Sequence, residues 1–352
     1  MFSDTIMTKR GPVLITGHTG FKGTWLSLLL QKLGIAHHGY SLEAEKGSLY
    51  RRLESESVFP GTIGDIRYLS NLRRCFFEVN PSVVIHMAAQ PLVLKSYRAP
   101  LQTFETNVLG TANVLEAAFE SPNVEIILVI TTDKVYQNDN SGRRFKESDP
   151  LAGKDPYSAS KVGAETVCAA WQQISKTKNG PKVIVARAGN VIGGGDFADD
   201  RIIPDLIRGV ILNESTIIRN AQATRPWQHV LDPLVGYLRY IEETMLGRVD
   251  LPALNFGPFE SSLRVQRILE IGQEVFGKDL RFQLEESSTN KEAQTLELDA
   301  SLAHNELGWS PFWNQEDAIF ETFKWWKLVI QDNDNASWGC MQNIQSILNH
   351  HK

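Results

Sequence analysis

Five short apolar runs, alternating with longer amphipathic stretches, dominate the first half of this 352-residue chain. The runs are apolar along their length, as strands covered on both faces of a parallel sheet are. The amphipathic stretches carry apolar residues at spacings of three and four, as helices covering such a sheet do. The predicted strands are 12–16, 35–41, 83–87, 126–131 and 182–187, and the predicted helices are 21–33, 68–79, 101–119 and 157–174. This alternation predicts an α/β fold built on a doubly wound parallel sheet, the Rossmann type.

The pattern changes after Arg187, where residues 188–200 are rich in glycine and acidic residues, as a ligand-side loop is. Further helices are predicted at 203–212, 263–276 and 315–329, with the last one closing the chain. We expect a dinucleotide-binding domain over 1–188 with a return segment at 230–258. A smaller, mixed α/β substrate domain would comprise 189–229 and 259–352. The sequence shows no internal repeat and no Pro/Ser-rich linker, so the lobes are expected to pack tightly around a ligand cleft.

Composition excludes several classes of protein. With 42% hydrophobic and 22% charged residues the chain is typical of globular rather than disordered proteins. A net charge of -5 and a pI near 6.0 indicate neither a nucleic-acid partner nor an anionic membrane surface. Cys75, Cys168 and Cys340 lack metal-ligand spacing, so free thiols and no metal site are expected. Without an apolar signal core or a membrane-length apolar run, the cytoplasm is the expected location.

Residues 17–23, GHTGFKG, follow the first predicted strand and open the first predicted helix. In that context Gly17 permits a tight turn, Gly20 lets the backbone approach a pyrophosphate, and Gly23 lets helix and strand pack closely. The helix N-terminus favours phosphate charge. We therefore predict a dinucleotide site that also includes Thr19, Phe21 and Lys22. The alternative is an ordinary strand–helix turn, and packing at the helix start explains His18 and Lys22 equally well.

The end of the second strand bears on the choice between NAD and NADP. Glu43 lies slightly beyond the end of this strand, whereas the acidic residue that binds the adenine ribose in NAD proteins usually stands directly at the strand end. No arginine stands at the strand end to hold a 2′-phosphate. NAD is therefore the favoured cofactor. Asp65 and Ile66 are placed to contact adenine, with a solvated turn acid as the alternative for Asp65. Further cofactor contacts are predicted at Ala88, Ala89, Gln90 and Asn107.

Tyr157 and Lys161 stand four residues apart, and therefore on one face of a predicted helix. The cation lowers the cost of forming phenolate and moves a tyrosine from its reference pKa of about 10 towards the range of a working base. Alone, such a pair is more often solvated than catalytic. After a glycine-rich nucleotide turn, and with Thr132 near the end of the fourth strand, the pair predicts a base at a hydride-transfer site that also contacts the cofactor.

Together these motifs resemble the extended short-chain dehydrogenase/reductase family, and the resemblance covers nearly the whole chain. Five segments resemble, in order and spacing, the CDP-glucose 4,6-dehydratases of that family: GHTGFKGTWLSLLL, HMAAQPLV, DPYSASK, RAGNVIGGGDFADDRIIPD and RPWQHVLDP. The resemblance implies an NAD-dependent lyase whose substrate is a nucleotide-diphosphate hexose, with CDP-glucose favoured. It further implies deoxysugar biosynthesis for lipopolysaccharide O-antigen, and a homodimer formed through helices 101–119 and 157–174.

Asp133-Lys134, directly after Thr132, distinguishes reactions within this family. Many dehydratases carry Asp-Glu here, whereas Asp-Lys resembles CDP-glucose dehydratases and some inverting UDP-sugar dehydratases. The resemblance therefore implies dehydration, with Lys134 as base at C5 and Asp133 as acid for the leaving C6 hydroxyl. Thr132 would orient the sugar oxygen. A lysine base requires a pKa lowered by burial or cations and a carboxylic acid requires a raised one, and the two roles could be exchanged.

Four polar residues are predicted around the nucleotide diphosphate: Asn190, Arg201, Arg225 and His229. Arg225 is best suited to bidentate phosphate contact, although a salt bridge or a solvated surface is the alternative for any one arginine. The competing functions are a UDP- or GDP-hexose 4,6-dehydratase, a nucleotide-sugar 4-epimerase and a non-catalytic dinucleotide-binding protein. The epimerase has no need of Asp133-Lys134, and the binding protein has no need of the tyrosine–lysine pair.

Overall fold

Seven parallel strands form the central sheet. The structure, a computed structural model, describes residues 7, 10–53, 59–139, 141–285 and 296–350. From one edge to the other the strands are β3 (Gly61–Ile63), β2 (His37–Ser41), β1 (Val13–Thr16), β4 (Val83–His86), β5 (Ile126–Thr132), β7 (Lys182–Ala188) and β12 (Ala253–Phe256). The strand order reverses between β1 and β4, which in an open α/β sheet marks the ligand crevice at the carboxyl ends of the strands.

The helices and the remaining strands surround this sheet. The helices are α1 (Phe21–Lys32), α2 (Leu49–Leu53), α3 (Leu69–Val79), α4 (Val93–Arg98), α5 (Pro100–Phe104), α6 (Gly110–Phe119), α7 (Pro156–Lys178), α8 (Ile202–Leu212), α9 (Leu231–Met245), α10 (Val265–Phe276), α11 (Ser301–Leu307), α12 (Gln315–Gln331) and α13 (Asn335–His350). The short strands pair as β6 (Arg144–Phe145) with β15 (Glu297–Leu298), β8 (Val191–Ile192) with β11 (Gln228–His229), β9 (Ser215–Ile218) with β14 (Arg281–Leu284), and β10 (Thr224–Arg225) with β13 (Leu263–Arg264).

The strands are buried on both faces because successive side chains point to opposite sides of the sheet. Val13 and Ile15 of β1 lie in the core cluster that contains α1 and α9. Leu14 lies in a second cluster, formed with α3 and α6. Helices thus cover both faces, and the predicted doubly wound α/β fold is confirmed. No helix within the described ranges combines the length and apolar character needed to cross a membrane.

The predicted strands agree with β1, β2, β4, β5 and β7 to within two residues, and β3 and α13 are among the elements that were not predicted. β3 has only three residues, and its first and last residues are exposed, so it lacks the apolar signal of the other strands. The expectation that helix 315–329 closes the chain is wrong, because α13 follows it. The buried face of α13 includes Ala336, Gly339, Cys340 and Asn343, small or polar residues that weaken the helical pattern.

The predicted helix 101–119 is interrupted in the structure. A π-helical turn, Glu105–Leu109, lies between α5 and α6. Within the predicted return segment 230–258, α9 packs on the sheet and β12 pairs with β7. The division into domains at 188/189 stays a prediction.

Candidate active site

The glycine turn joins β1 to α1 at the carboxyl edge of the sheet. Gly17 has a φ of +83°, and a Cβ there would come within 2.8 Å of the Ala88 nitrogen. A Cβ at Gly23 would come within 2.1 Å of the Gly17 carbonyl oxygen. Both positions therefore require glycine, one for a left-handed turn and both for close backbone packing.

The N-terminus of α1 has the features of a phosphate site. Its N-cap residue, Gly20, makes no side-chain cap, and its first turn holds no acidic residue. The first amides of the helix are therefore available to a ligand, and the helix dipole favours an anion there. A Cβ at Gly20 would meet the Gly17 carbonyl oxygen at 3.3 Å and no other described atom within 4 Å. The turn thus fits a dinucleotide pyrophosphate.

At the end of β2, hydroxyl and imidazole groups take the place of an acid. The Ser41 hydroxyl lies 2.9 Å from Thr19 Oγ1 and 2.9 Å from His18 Nδ1. Glu43, the suggested ribose ligand, is largely exposed and pairs with Arg51 over 3.2 Å. The polar side chains grouped at this strand end are therefore Ser41, Thr19 and His18.

Asp65 has a tightly bound arginine partner. Its carboxylate accepts hydrogen bonds from the side chain of Arg67, the shortest of them 2.6 Å, and from the Arg67 amide over 2.9 Å. These contacts hold the pKa of Asp65 below its usual value, so the side chain is an anion. Ile66 beside it is buried. An adenine contact by Asp65 would therefore use a carboxylate already oriented by Arg67.

Asn107 connects the loop after β4 to α7. Its amide oxygen accepts from the Gln90 amide over 2.8 Å, and its amide nitrogen donates to the Ser160 hydroxyl over 2.8 Å. Asn107 lies in the π-helical turn, and such turns are frequent at functional sites. The Gln90 side chain bonds within its own region, to Leu92 and Thr103. Asn107 and Gln90 therefore shape the loop that follows β4.

Tyr157 and Lys161 lie in the first turns of α7. Asp155 caps this helix by accepting from the Ser158 amide over 3.0 Å, and Pro156 occupies its first turn. The Tyr157 amide donates to the Ser96 hydroxyl over 3.1 Å. Both candidate side chains are 8% exposed. The sequence therefore places the phenol and the ammonium on one buried face, as predicted from their spacing.

Burial shifts the protonation of both groups in the isolated chain. It raises the pKa of Tyr157 to about 12, while a hydrogen bond shared with the Thr132 hydroxyl and the charge of Arg201 act in the opposite direction. It lowers the pKa of Lys161 to about 8. The Lys161 ammonium donates to the Ile130 carbonyl oxygen over 3.1 Å. The phenol therefore needs additional positive charge before it acts as a base near neutral pH.

Thr132, Asp133 and Lys134 follow at the end of β5. The Thr132 hydroxyl donates to Asp133 Oδ1 over 2.8 Å, and both residues are buried. Lys134 is exposed, so the burial expected for a neutral lysine base is not observed. The structure therefore brings Thr132 and Asp133 to Tyr157 and leaves Lys134 at the rim.

Lys22 and Arg201 lie among the charged groups of this centre. Burial lowers the pKa of Lys22 to about 8, and the cations of Arg201 and Lys161 lower it further. The carboxylates of Asp133 and Asp196 oppose this effect. Arg201 donates to Asp196 over 2.8 Å, and this pairing raises its pKa. Residues far apart in sequence thus form one mixed-charge cluster beside Tyr157.

The other predicted substrate residues differ in position. Asn190 has a left-handed φ of 41°, and its carbonyl accepts from the Gln228 amide. Arg225 is half-buried on β10 and donates to the Thr224 carbonyl over 2.7 Å. His229 is completely buried, 4.2 Å from the ring of Trp313. A substrate contact by His229 is therefore not supported, because the aromatic core covers the ring.

Ser96 and Gly189 are among the contributors to the site that were missed from the sequence. Ser96 holds the start of α7, and Gly189 leaves room for the Asp133 carboxylate. Ser96 had no signal, while Gly189 lay within the glycine-rich loop without a distinguishing spacing. Among the described residues, no three His, Cys, Asp or Glu side chains are grouped to hold a metal ion.

Residues 13–249 match the sequence pattern of the NAD dependent epimerase/dehydratase family. The chain belongs to this family. The match begins at β1 and ends just beyond α9, so it includes the glycine turn, Asp133 and the Tyr157–Lys161 pair. The predicted extended short-chain dehydrogenase/reductase family is confirmed, as is an enzyme with NAD as its cofactor.

Two relatives illustrate the similarity within the family. CDP-glucose 4,6-dehydratase of Salmonella typhimurium is 40% identical over 330 residues, 92% of each chain. dTDP-glucose 4,6-dehydratase of Haemophilus influenzae is 26% identical over 340 residues, which cover 89% of this chain and 97% of the relative. The resemblance to the CDP-glucose 4,6-dehydratases is thereby confirmed.

Solved structures of the family share the fold. UDP-glucose 4-epimerase from Brucella ovis, in complex with NAD, aligns with a TM-score of 0.78 at 20% identity, over 89% of this chain and 97% of that one. DesIV, the dTDP-glucose 4,6-dehydratase of Streptomyces venezuelae with NAD and TYD bound, aligns with a TM-score of 0.76 at 22% identity, over 90% and 97%. At these identities the comparison establishes the architecture.

Proposed function

We propose that this protein is a nucleotide-sugar 4,6-dehydratase that converts CDP-glucose to CDP-4-dehydro-6-deoxyglucose and water. One observation carries the proposal: a hydroxyl chain links Tyr157 to Thr132 and Thr132 to Asp133 at the carboxyl edge of the sheet. Tyr157, the group suited to oxidising C4, and Asp133, a group suited to elimination, thus serve a single substrate position. An epimerase uses the first of these and has no step for the second.

The cofactor would lie on the Gly17–Gly23 turn, with its pyrophosphate at the uncapped start of α1 and Lys161 beside its nicotinamide half. When bound, NAD would supply the hydride acceptor for the oxidation of C4 and the hydride donor for the later reduction of C6. Tyr157 takes the proton of the C4 hydroxyl in the first of these events. The charge of Arg201 and the hydrogen bond with Thr132 favour the phenolate. Lys161 is proposed to add a second positive charge from the next turn of α7, and Thr132 to orient the C4 oxygen.

The 4-keto group acidifies the C5 proton, so a modest base can remove it while an acid protonates the departing C6 hydroxyl. Asp133 and Lys134 divide these roles in the proposed mechanism. With Lys134 as base, the exposed side chain must become covered when the sugar binds. The exchanged assignment makes the buried Asp133 carboxylate the base and the Lys134 ammonium the acid. In both versions one water leaves and the proton returns to C5.

The cytidine assignment rests on the 40% identity to the Salmonella enzyme over 92% of both chains. Asn190, Arg201 and Arg225 are proposed to contact the nucleotide diphosphate. Since Arg201 is already paired with Asp196, it would present only its remaining donors to a phosphate. The alternatives for the substrate are UDP- and GDP-hexoses.

The test is incubation of the purified protein with NAD and a panel of CDP-, UDP-, GDP- and dTDP-hexoses in deuterated water. We expect CDP-glucose to give a 4-keto-6-deoxy sugar that carries solvent deuterium at C5. Products that retain the C6 hydroxyl, or are inverted at C4, would replace the dehydratase with an epimerase. A panel without any product would refute both.

We also propose a homodimer, a cytoplasmic location and a role in O-antigen deoxysugar synthesis. Exposed apolar side chains on α4, α5 and the following π-helical turn support the dimer: Leu94, Tyr97, Leu101, Phe104 and Leu109. Large exposed apolar side chains grouped within a short stretch of chain are a feature of protein interfaces. Leu101, Phe104 and Leu109 lie within predicted helix 101–119, in agreement with the pairing that the family resemblance implies.

A further inference from the structure

Glu165 and Arg187 form a buried, two-pronged ion pair behind the candidate active site. Each side chain is 6% exposed. Arg187 Nε donates to Glu165 Oε1 over 2.8 Å, and Nη2 donates to Oε2 over 2.5 Å. A pair in this geometry is oriented strongly, and removal of either partner leaves an uncompensated buried charge.

The pair is bonded to both ends of the segment that carries Thr132, Asp133 and Lys134. On one side the Thr131 hydroxyl donates to Glu165 Oε1 over 2.7 Å. On the other side Arg187 Nη1 donates to the Tyr136 hydroxyl over 2.7 Å, with the guanidinium 5.0 Å from the centre of the Tyr136 ring. The segment is therefore fastened immediately before its first residue and immediately after its 3₁₀ turn, Asp133–Val135.

The same pair is fixed to the oxidation machinery. Glu165 lies on α7 one turn beyond Lys161 and two turns beyond Tyr157, so all three share a helix face. The Glu165 carboxylate also acts on Lys161: burial lowers the pKa of Lys161, and the negative charge of Glu165 opposes that change. The ion pair thus contacts the segment 132–135, which carries the proposed elimination groups, through hydrogen bonds. It is connected to Tyr157 and Lys161, the oxidation pair, through a shared helix and through its charge.

A third connection reaches the last strand of the sheet. The Tyr136 hydroxyl donates to Asn255 Oδ1 over 2.7 Å. Asn255 Nδ2 in turn donates to the carbonyl oxygens of Phe145 and Asp299, on and beside the small β6–β15 sheet. The network therefore anchors the segment 132–135 from outside α7 as well.

We propose that Glu165 and Arg187 are positioning residues that hold the elimination groups on residues 132–134 in register with the oxidation pair on α7. The kinetic consequence rests on the proposed dehydratase function. In a reaction that oxidises C4 and then eliminates across C5 and C6, the same sugar must meet both sets of groups without moving. Loosening the segment should therefore slow the second step and spare the first.

Two near-isosteric variants test this without breaking the ion pair. Thr131→Val removes the hydroxyl bonded to Glu165, and Tyr136→Phe removes the hydroxyl between Arg187 and Asn255. We expect amide hydrogen exchange across residues 131–136 to rise at least about tenfold in both, with α1 unchanged. In single turnovers with CDP-glucose, the reduced-nicotinamide absorbance should rise at the wild-type rate and decay at least about tenfold more slowly.

Glu165→Gln tests the charge. It keeps the shape and an acceptor oxygen but removes the negative charge beside Lys161. The pKa of Lys161 should fall further, so the pH dependence of the absorbance rise should move to lower pH. Thr131→Val retains the Glu165 charge and should leave that pH dependence at its wild-type position.

Two controls match these changes chemically. Tyr240→Phe deletes a buried tyrosine hydroxyl that donates to the Leu251 carbonyl oxygen. Glu120→Gln removes the charge from an exposed bidentate pair with Arg73. Neither should alter exchange at 131–136 or the ratio of the two absorbance phases.

The proposal is overturned if Thr131→Val and Tyr136→Phe leave exchange at 131–136 unchanged, or if both absorbance phases slow by one common factor. The exchange measurement needs no substrate. A wild-type protein that forms no keto sugar would refute the dehydratase function, while the exchange result would still decide whether the ion pair holds the segment.

Discussion

The carboxylate of Asp133 lies directly against the backbone of Gly189, where a Cβ would come within 2.2 Å of Asp133 Oδ2. The backbone at 189 is held in place, because the Gly189 carbonyl accepts a hydrogen bond from Gln228 Nε2 over 2.9 Å. The position of a proposed elimination group thus depends on the absence of a side chain across the site.

Gly189→Ala should therefore impair elimination selectively. The new methyl group must displace the Asp133 carboxylate, because the backbone at 189 has little freedom to move. We expect kcat to fall by about 10²-fold, with C4 oxidation still visible as reduced nicotinamide, since a displacement of about 1 Å has an effect of that size. Rapid-mixing absorbance measurements on the NAD complex would separate the two steps.

Gly180→Ala is the matched control, because Gly180 lies before the amino-terminal end of β7, whereas Gly189 follows its carboxyl end. A Cβ there would meet the edge of the Phe119 ring at 3.2 Å, which can adjust. A comparable loss of kcat in both variants would attribute the effect to general destabilisation rather than to Asp133.

Tyr157→Phe and Lys134→Ala should stop the reaction at different points. Without the phenol hydroxyl, the C4 hydroxyl has no base, so we expect no reduced nicotinamide and a loss of about 10²–10⁴-fold in rate. Without Lys134, C4 oxidation should persist while solvent exchange at C5 and release of water are lost. Transient absorbance and the deuterium content of recovered sugar measure the two outcomes. Equal loss of both steps in both variants would contradict the division of roles.

His229 should contribute to the loss of stability in acid. Burial lowers its pKa to about 3, and its Nδ1 accepts from the Leu231 amide, which requires the neutral ring. The unfolded state, with a pKa of about 6.5, binds a proton first as pH falls, so this contribution is complete above pH 6.5 and declines below it by about 1.4 kcal/mol per pH unit.

His229→Asn keeps an acceptor for the Leu231 amide without the titrating ring. Urea titrations at several pH values between about 6 and 4 should show an unfolding free energy whose pH slope is smaller than that of the wild type by about 1.4 kcal/mol per pH unit. His304→Asn, at an exposed position, is the control for the effect of a histidine-to-asparagine change itself. An unaltered slope in His229→Asn would mean that another group determines the acid sensitivity.

The features predicted well from the sequence are those in which local spacing determines geometry. Gly17 and Gly23 serve one turn, and Tyr157 and Lys161 lie one helical turn apart, so a few adjacent residues carry each relationship. Five strands of the parallel sheet were predicted equally well, because burial on both faces makes them continuously apolar.

The relationships that were not predicted join residues distant in the chain. Nothing in the local sequence connects Gly189 to Asp133, or Lys22 to Arg201. His229 was expected at the substrate, yet tertiary packing places it against Trp313. The sequence around His229 does not reveal which of its faces is covered, so this packing could not be predicted. Such contacts depend on how the loop beyond β7 folds back over the sheet.

The exposed apolar side chains of Leu101 and Leu109 provide the last prediction. Leu101 is 72% exposed and Leu109 is 60% exposed, and both lie on the helical segment proposed to pair with a second copy of the chain. A charge at either position would be desolvated in the dimer without a partner. Leu101→Glu and Leu109→Glu should therefore give monomers in sedimentation velocity at concentrations where we expect the wild type to be a dimer.

Phe77→Glu is the control, because Phe77 on α3 is 87% exposed but lies outside the proposed interface. A wild-type monomer, or dissociation by Phe77→Glu alone, would move the interface elsewhere or remove it.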